Sequence, residues 1–359
     1  MLFIALAHAN TPVLVEDQAV AGDADDAFGH SLLVADVNGD GTDELVVGAV
    51  DGPGTATIFD QVDLEPLKTI TGEPGGELGW ALAGSAEGLV VGAPTMGEVR
   101  GYGHDLKLAW TWNGPGGSDA GHGLGAIEGS GESWILAASD LGEAVWLDAV
   151  DGSEQGELAG SRGGGQLFGA AICGADTDGD GTEEAWLSEP GDGDEGRVYV
   201  ALAGQIGKAS LALTGAEGYG SSLVSADFDG DGLDDVAIGG SVVTLHFEDR
   251  GEQETMGLAG SVAAVPDLDD DGSAELLVGV SSEGRAVLVM GGAACCEEAL
   301  ELGPIAVNGV LQGYGGSVAA GDLEGDGVLE LVVGAPAYSG RGGDSQVFVH
   351  RVDYEETIE

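Results

Sequence analysis

Short apolar runs recur along this chain, each bounded by glycine or by a cluster of acids, and none holds the 3.6-residue period of a helix. The stretch VADVNGDGTDELVVGA, residues 34–49, shows the pattern at its densest: two apolar runs flank one strongly acidic turn. From Phe28 onward the alternation of apolar runs and turn residues predicts four strands, over residues 31–35, 44–49, 54–61 and 67–72.

That unit repeats. An aromatic-glycine pair, an apolar strand, an acidic turn and a second apolar strand return as LFGAAICGADTDGDGTEEAWLSEP from Leu167 and as YGSSLVSADFDGDGLDDVAIGG from Tyr219. They return again as LAGSVAAVPDLDDDGSAELLVGV from Leu258, without the aromatic, and as YGGSVAAGDLEGDGVLELVVGAP from Tyr314. Two degenerate copies, LGWALAGSAEGLVVGAP from Leu78 and GHGLGAIEGSGESWILAAS from Gly121, fill the remaining gap. Units therefore start near residues 28, 78, 121, 167, 219, 258 and 314, a period typical of radially arranged repeats. One four-stranded sheet cannot bury both its faces, but seven packed in a ring can. The last unit has three strands, ending in DSQVFVHRV, and residues 11–22 resemble the strand that precedes each later unit. Residues 10–359 thus read as one all-β domain, closed by its N-terminal strand joining the last sheet, which limits exposed edges.

The acidic turns carry the candidate chemistry. Counted from Asp36, positions 1, 3, 5 and 9 of the first turn are Asp36, Asn38, Asp40 and Glu44, with Gly41 at position 6. The same positions are Asp176, Asp178, Asp180 and Glu184 in the fourth unit and Asp227, Asp229, Asp231 and Asp235 in the fifth. They are Asp267, Asp269, Asp271 and Glu275 in the sixth, and Asp322, Glu324, Asp326 and Glu330 in the seventh. Alternate oxygens converging on one point, with glycine at the sharp bend, suit a hard cation such as calcium. The carbonyls of position 7 (Thr42, Thr182, Leu233, Ser273 and Val328) are expected to add a ligand each. An EF-hand is excluded, because position 12 of the first turn is Val47, within an apolar strand. Magnesium suits these turns less, since it prefers tight octahedral coordination with retained water. Up to five calcium ions are expected, with a structural role.

Charge narrows the partners. The chain has 359 residues, 64 acids and 10 bases, a formal net charge of -54. The bases are scattered singly, so nucleic acid and anionic membranes are not expected to bind. Aromatics make up only 5%, so the core must come mainly from Val, Leu, Ile and Ala. No segment approaches the length of a membrane-spanning helix. Residues 1–9, MLFIALAHA, end in an Ala7-His8-Ala9 pattern and read as a signal-peptide remnant, although short and without a basic leader. Cys173 reads as a small core residue; Cys295 and Cys296 are either two thiols or a vicinal disulfide.

The FG pair, the D-x-N-G-D-G-x-x-E turn and the LVVGA or LVVGAP strand, recurring in register, resemble the FG-GAP repeat of integrin alpha-subunit head domains and their bacterial relatives. The resemblance covers residues 11–352. It implies a seven-bladed β-propeller of four-stranded antiparallel blades, with calcium turns on one face and ligand contacts mainly from loops on the other. The second and third units depart from the pattern, since GSAEG and EGSGES lack spaced carboxylates, and Glu324 replaces the usual Asp or Asn.

Three functions are open at this point. The leading one is a secreted or cell-surface, calcium-stabilised module, monomeric as an isolated domain, that binds an extracellular protein or glycan. Its contact loops would be residues 189–196, 280–285 and 335–343, with Tyr338 and Arg341 as anchors. Trp110 and Trp112 either form a sugar-stacking platform or pack between sheets. The second is a calcium-assisted hydrolase or polysaccharide lyase; the six histidines are dispersed and no G-x-S-x-G or phosphate loop is present, so no enzyme is expected. The third is a scaffold subunit of a surface assembly.

Overall fold

The computed structural model describes residues 11–22, 26–60, 64–129, 131–160, 167–191, 195–247, 250–292, 297–304, 313–338 and 344–355. Residues 1–9, Arg162, Cys295, Cys296, Arg341 and parts of two expected contact loops lie outside them. Apart from one 3-10 turn at Pro94–Met96, every described element is a strand.

Strand β1 (Thr11–Ala21) precedes the repeats. The first repeat folds into β2 (Phe28–Ala35), β3 (Glu44–Ala49), β4 (Thr55–Asp60) and β5 (Glu65–Thr71), an antiparallel meander. The first strand starts three residues earlier than its apolar run suggests, because Phe28 pairs with Ala49 before a bulge. The second repeat gives β6 (Leu82–Ser85), β7 (Gly88–Ala93), β8 (Glu98–Gly103) and β9 (Leu108–Asn113). The third gives β10 (Gly123–Glu128), β11 (Ser133–Ala138), β12 (Glu143–Asp148) and β13 (Glu154–Gly160). The fourth gives β14 (Ile172–Ala175), β15 (Glu184–Glu189), β16 (Gly196–Leu202) and β17 (Gly207–Gly215). Then come β18 (Ser222–Ala226), β19 (Asp235–Gly239), β20 (Thr244–Phe247) and β21 (Glu252–Thr255). The sixth repeat is β22 (Ser261–Val265), β23 (Glu275–Val280), β24 (Arg285–Val289) and β25 (Glu298–Leu302). The last is β26 (Ser317–Gly321), β27 (Leu329–Ala335) and β28 (Gln346–Glu355).

The last sheet takes its fourth strand from the start of the chain, in the order β1-β28-β27-β26. Thr11 pairs with Glu355 and Ala21 with Gln346, so the N-terminal strand covers the full length of β28. Five sheets have four strands, but the third and fourth repeats share one eight-stranded sheet rather than forming two. The join is a short parallel pairing of the outermost strands β13 and β17, from Leu158↔Gly207 to Gly160↔Ala209. Both are edge strands, whose unpaired backbone groups accept a neighbour wherever one comes within reach.

The first strands of successive repeats pack against one another, and β26 packs on β2, so the arrangement closes on itself. The core divides accordingly into separate clusters, each between one group of four strands and the next. Val46, Ile58, Leu89 and Tyr102 fill the first such wedge; Trp146, Leu187, Tyr199 and Phe168 fill the third. Val47, Phe59, Val332 and Val349 fill the wedge that closes the ring.

The aromatic-glycine pair explains the closeness of these joints. Phe28, Phe168, Tyr219 and Tyr314 are buried between sheets. The glycine after each stands against a small residue in the second strand of the preceding repeat (Gly334, Ala138, Ser188 and Gly279), which lets the two backbones touch. A Cβ on Gly48 would stand 2.1 Å from the carbonyl oxygen of Gly79, and one on Gly334 2.6 Å from that of Gly29. Ser31 Oγ donates to Gly79 O at 2.6 Å, and Ser317 Oγ to Gly29 O at 2.6 Å, so the same hook also fastens the last sheet to the first.

Candidate metal centres in the acidic turns

The five acidic turns each join the first strand of a repeat to the second, at one end of the ring, and share one internal scaffold. In the first, Asp36 Oδ1 accepts the N–H groups of Gly39 (2.6 Å) and Asp40 (3.1 Å), and its Oδ2 that of Gly41 (2.9 Å). Glu44 closes the loop from the other side, its Oε2 accepting Val37 N–H (3.0 Å) and Asn38 N–H (3.1 Å). Gly41 has φ 92° with open space around it, so backbone conformation rather than room selects glycine there. Position 1 holds the position-6 N–H in every turn: Gly181 on Asp176 (3.0 Å), Gly232 on Asp227 (2.8 Å), Gly272 on Asp267 (2.9 Å) and Gly327 on Asp322 (2.7 Å). Position 9 likewise holds the position-2 N–H: Thr177 on Glu184, Phe228 on Asp235, Leu268 on Glu275 and Leu323 on Glu330. Thr42, Thr182, Leu233, Ser273 and Val328 each donate their N–H to the position-5 carboxylate at 2.9 to 3.0 Å.

The turns differ in how many carboxylates they gather. In the sixth, Asp267, Asp269, Asp271 and Glu275 each bring an oxygen within 4.8 Å of the others. The fourth gathers Asp176, Asp178 and Asp180 in this way, while Glu184 Oε2 is held by Thr177 Oγ1 at 2.8 Å. The fifth gathers Asp227, Asp229 and Asp235 but not Asp231, and Arg250 lies against Asp229. In the first, the Asn38 side-chain N–H donates to Glu44 Oε1 (2.5 Å) and Asp40 Oδ2 (3.0 Å). In the seventh, the Arg351 guanidinium pairs with Glu324 and Asp326.

These donor sets decide which turns fit a hard cation. Glu275 is 1% exposed, yet its Oε1 has no hydrogen-bond partner. A buried carboxylate oxygen left so is costly unless a cation completes it. Together with three neighbouring aspartates it makes the sixth turn the best fit, and the fourth and fifth follow. Burial and neighbouring carboxylates push the Glu275 carboxyl up to about 8, against the pull of its Leu268 N–H bond. Burial likewise pushes Glu44 and Glu330 up to about 7 and raises Glu184 and Asp269.

The acids at position 8, next to the expected ligands, do a different job. Asp234 Oδ2 accepts Asp176 N–H at 2.9 Å while Asp234 N–H donates to Asp176 O at 3.2 Å, tying the fifth turn to the fourth. Glu183 makes the same two-way bond with Glu128 at the end of β10, at 2.7 and 2.9 Å. Asp43 accepts the N–H of Asp322, linking the first turn to the seventh. Burial raises the pKa of all three. The signal in the sequence was one carboxylate more than a cation cage needs, at Asp43, Glu183 and Asp234. Replacing Asp234 by Ala strands the Asp176 N–H and should cost about 1–3 kcal/mol. Urea unfolding checks this; an unshifted midpoint for D234A refutes the latch.

At the opposite ends of the strands, His30, Trp80 and Tyr338 form one aromatic group. Tyr338 Oη lies 2.9 Å from His30 Nδ1, and the His30 and Trp80 rings are 4.5 Å apart. Burial pushes His30 down to about 4, so it is neutral at physiological pH. Trp110 and Trp112 are buried between sheets, their indole N–H groups donating to Ala149 O (2.9 Å) and Glu154 Oε1 (2.7 Å), so they pack rather than form a platform. Glu189 accepts from Tyr199 Oη at 2.7 Å, which makes it part of the sheet rather than a free contact residue. Cys173 is unpaired, and burial raises its thiol pKa. No helix among the described residues is long and apolar enough to cross a membrane.

The FG-GAP repeat family matches the chain at residues 28–59 and 314–350, the first and last repeats. Integrin alpha-4 of Xenopus laevis is 29% identical over 36% of this chain, a match that spans 16% of the integrin's length. Among solved structures, a crystal structure of BBS1N in complex with ARL6DN, soaked with mercury, superposes with a TM-score of 0.62 at 13% identity. It covers 97% of this chain and 98% of that one. A second crystal of the same complex, soaked with lead, gives a TM-score of 0.62 at 12% identity with the same coverage. At that identity the likeness concerns the fold alone.

Proposed function

The chain carries FG-GAP repeats of the integrin alpha type, and from that premise we propose that it is a calcium-stabilised seven-bladed β-propeller that binds an extracellular protein or glycan. The eight-stranded sheet counts as two blades, because its halves are each antiparallel, pack face to face like the other blades, and share strand pairing only at the parallel contact of β13 with β17. Calcium would be held in the acidic turns by side-chain oxygens at positions 1, 3, 5 and 9, and it would supply rigidity rather than reaction chemistry. The observation that carries this reading is the common scaffold of those turns, with the orphaned Glu275 oxygen among three aspartates.

The role is binding rather than catalysis. The acids clustered in the turns are used by turn scaffolds and inter-blade latches, and the histidines are buried in packing roles or dispersed. The BBS1N structure contains a propeller-like chain in complex with a protein, which supports a protein partner here. Likeness to an integrin alpha chain supports a secreted or cell-surface location.

The Trp80–His30–Tyr338 group is the contact point, since it is aromatic, half-exposed and on the end of the ring away from the acidic turns. The test is binding to a glycan array and a cell-surface protein array with calcium present. W80A and Y338A should each weaken captured binding at least about tenfold, an aromatic hot spot's share. Full binding by both variants, or cleavage of the captured glycan or protein, counts against this reading.

A further inference from the structure

The seventh acidic turn differs from the others in what faces it. Its position-9 residue, Glu330, pairs across β27 and β28 directly with Arg351. The residue in the equivalent place opposite Glu184 of the fourth turn is Leu202. Arg351 reaches from β28 over the turn, where its guanidinium pairs with Glu324 and Asp326 and stands 3.4 Å from Glu330 Oε1. Its side chain is only 14% exposed. Glu330 is fully buried, and its Oε1 has no hydrogen-bond partner. Three of the turn's four carboxylates therefore converge on one guanidinium. Glu324 fits this arrangement: it is the one position-3 residue with an extra methylene, and that length carries its carboxylate out to Arg351. Arg250 at the fifth turn is a different case, since it comes from a loop, stays 38% exposed and leaves Asp227, Asp229 and Asp235 gathered.

We propose that Arg351 is a built-in cation that occupies the seventh turn in place of a metal ion. The guanidinium is always charged and offers five fixed donors, so it neutralises the carboxylates without desolvating a metal. A divalent ion arriving at this turn meets a fixed positive charge beside every carboxylate but Asp322. The seventh blade is then independent of calcium, and the ion count of the chain is four rather than five. This inference rests on the calcium reading above.

Calcium bound per chain, measured by mass spectrometry of the metal after gel filtration at fixed free calcium, tests it. Wild type should hold four ions; R351Q should hold five, because it clears the guanidinium while keeping a polar side chain in β28. R351K, which keeps a charge, should hold four and shows that the gain follows the charge. E330Q should leave the wild-type count unchanged, whereas E275Q should lower it by one. Circular dichroism confirms that each variant is folded; if R351Q fails to fold, the E330Q and E275Q counts decide alone. Five ions in wild type, four in folded R351Q, or a loss of one in E330Q overturns this inference and leaves calcium binding standing. No ion in any of the proteins removes both.

Discussion

Excess EDTA should lower the melting temperature of this protein by roughly 8 °C. Free calcium at about ten times the dissociation constant adds about 1.4 kcal/mol per site, so four independent sites contribute about 6 kcal/mol. An unfolding entropy of about 2.1 cal/mol/K per residue, over this length, converts that to the stated shift. The effect should also grow with pH. In calcium-free protein, burial holds the carboxyl of Glu44 up to about 7 and that of Glu275 up to about 8. Each folded value lies above the unfolded one, so the native state binds more protons. Their contribution is full below the unfolded range and is lost as pH rises through 7 and 8. Calcium-free protein should therefore melt lower at pH 8.5 than at pH 6, with calcium closing the gap. A thermal transition indifferent to EDTA at both pH values refutes structural calcium.

Deleting residues 1–21 should have a comparable or larger effect. The lost strand pairs along the whole of β28, and about ten net ladder bonds of about 0.5–1.5 kcal/mol each sum to roughly 5–15 kcal/mol. A pin is lost with it: Asp17 Oδ1 accepts His350 Nδ1–H at 2.6 Å, and His350 Nε2 accepts from buried Tyr314 Oη at 2.7 Å. Burial lowers the His350 pKa, which keeps the ring neutral and able to serve both partners. The truncated chain also exposes β28 as a long unpaired edge, so association is expected. Calorimetry and gel filtration check this, and a synthetic peptide of residues 11–21 should restore part of the stability. A truncated chain that is monomeric and melts like wild type refutes the closing role of β1.

The ring was legible because its signals are local. The acidic turn, the glycine at position 6 and the apolar runs on each side lie within sixteen residues, and the structure builds a strand-turn-strand unit from each copy. The pairing of β1 with β28 was also readable, since a three-stranded last repeat and a spare leading strand leave one solution. What was hidden depends on neighbours far apart in sequence. Arg351 looks like any scattered base until Glu330 is seen beside it in the sheet. The latch acids at Asp43, Glu183 and Asp234 were lost within the cation motif, because their partners belong to the preceding repeat. The union of β13 with β17 rests on backbone groups alone, to which side-chain patterns are blind. Trp110 and Trp112 left two readings open, and their own burial, with acceptors at Ala149 and Glu154, decides for packing.

The pairing of Thr11 with Glu355 has a mechanical meaning. The two outer ends of this seam lie side by side, so tension applied across them loads the first hydrogen bond alone, then the next. A seam pulled in that way opens like a zip at low force, whereas strands loaded lengthwise must break all their bonds together. The molecule should thus resist heat through a closed circle but yield to traction at one defined place, with the acidic hairpins outside the path of the load.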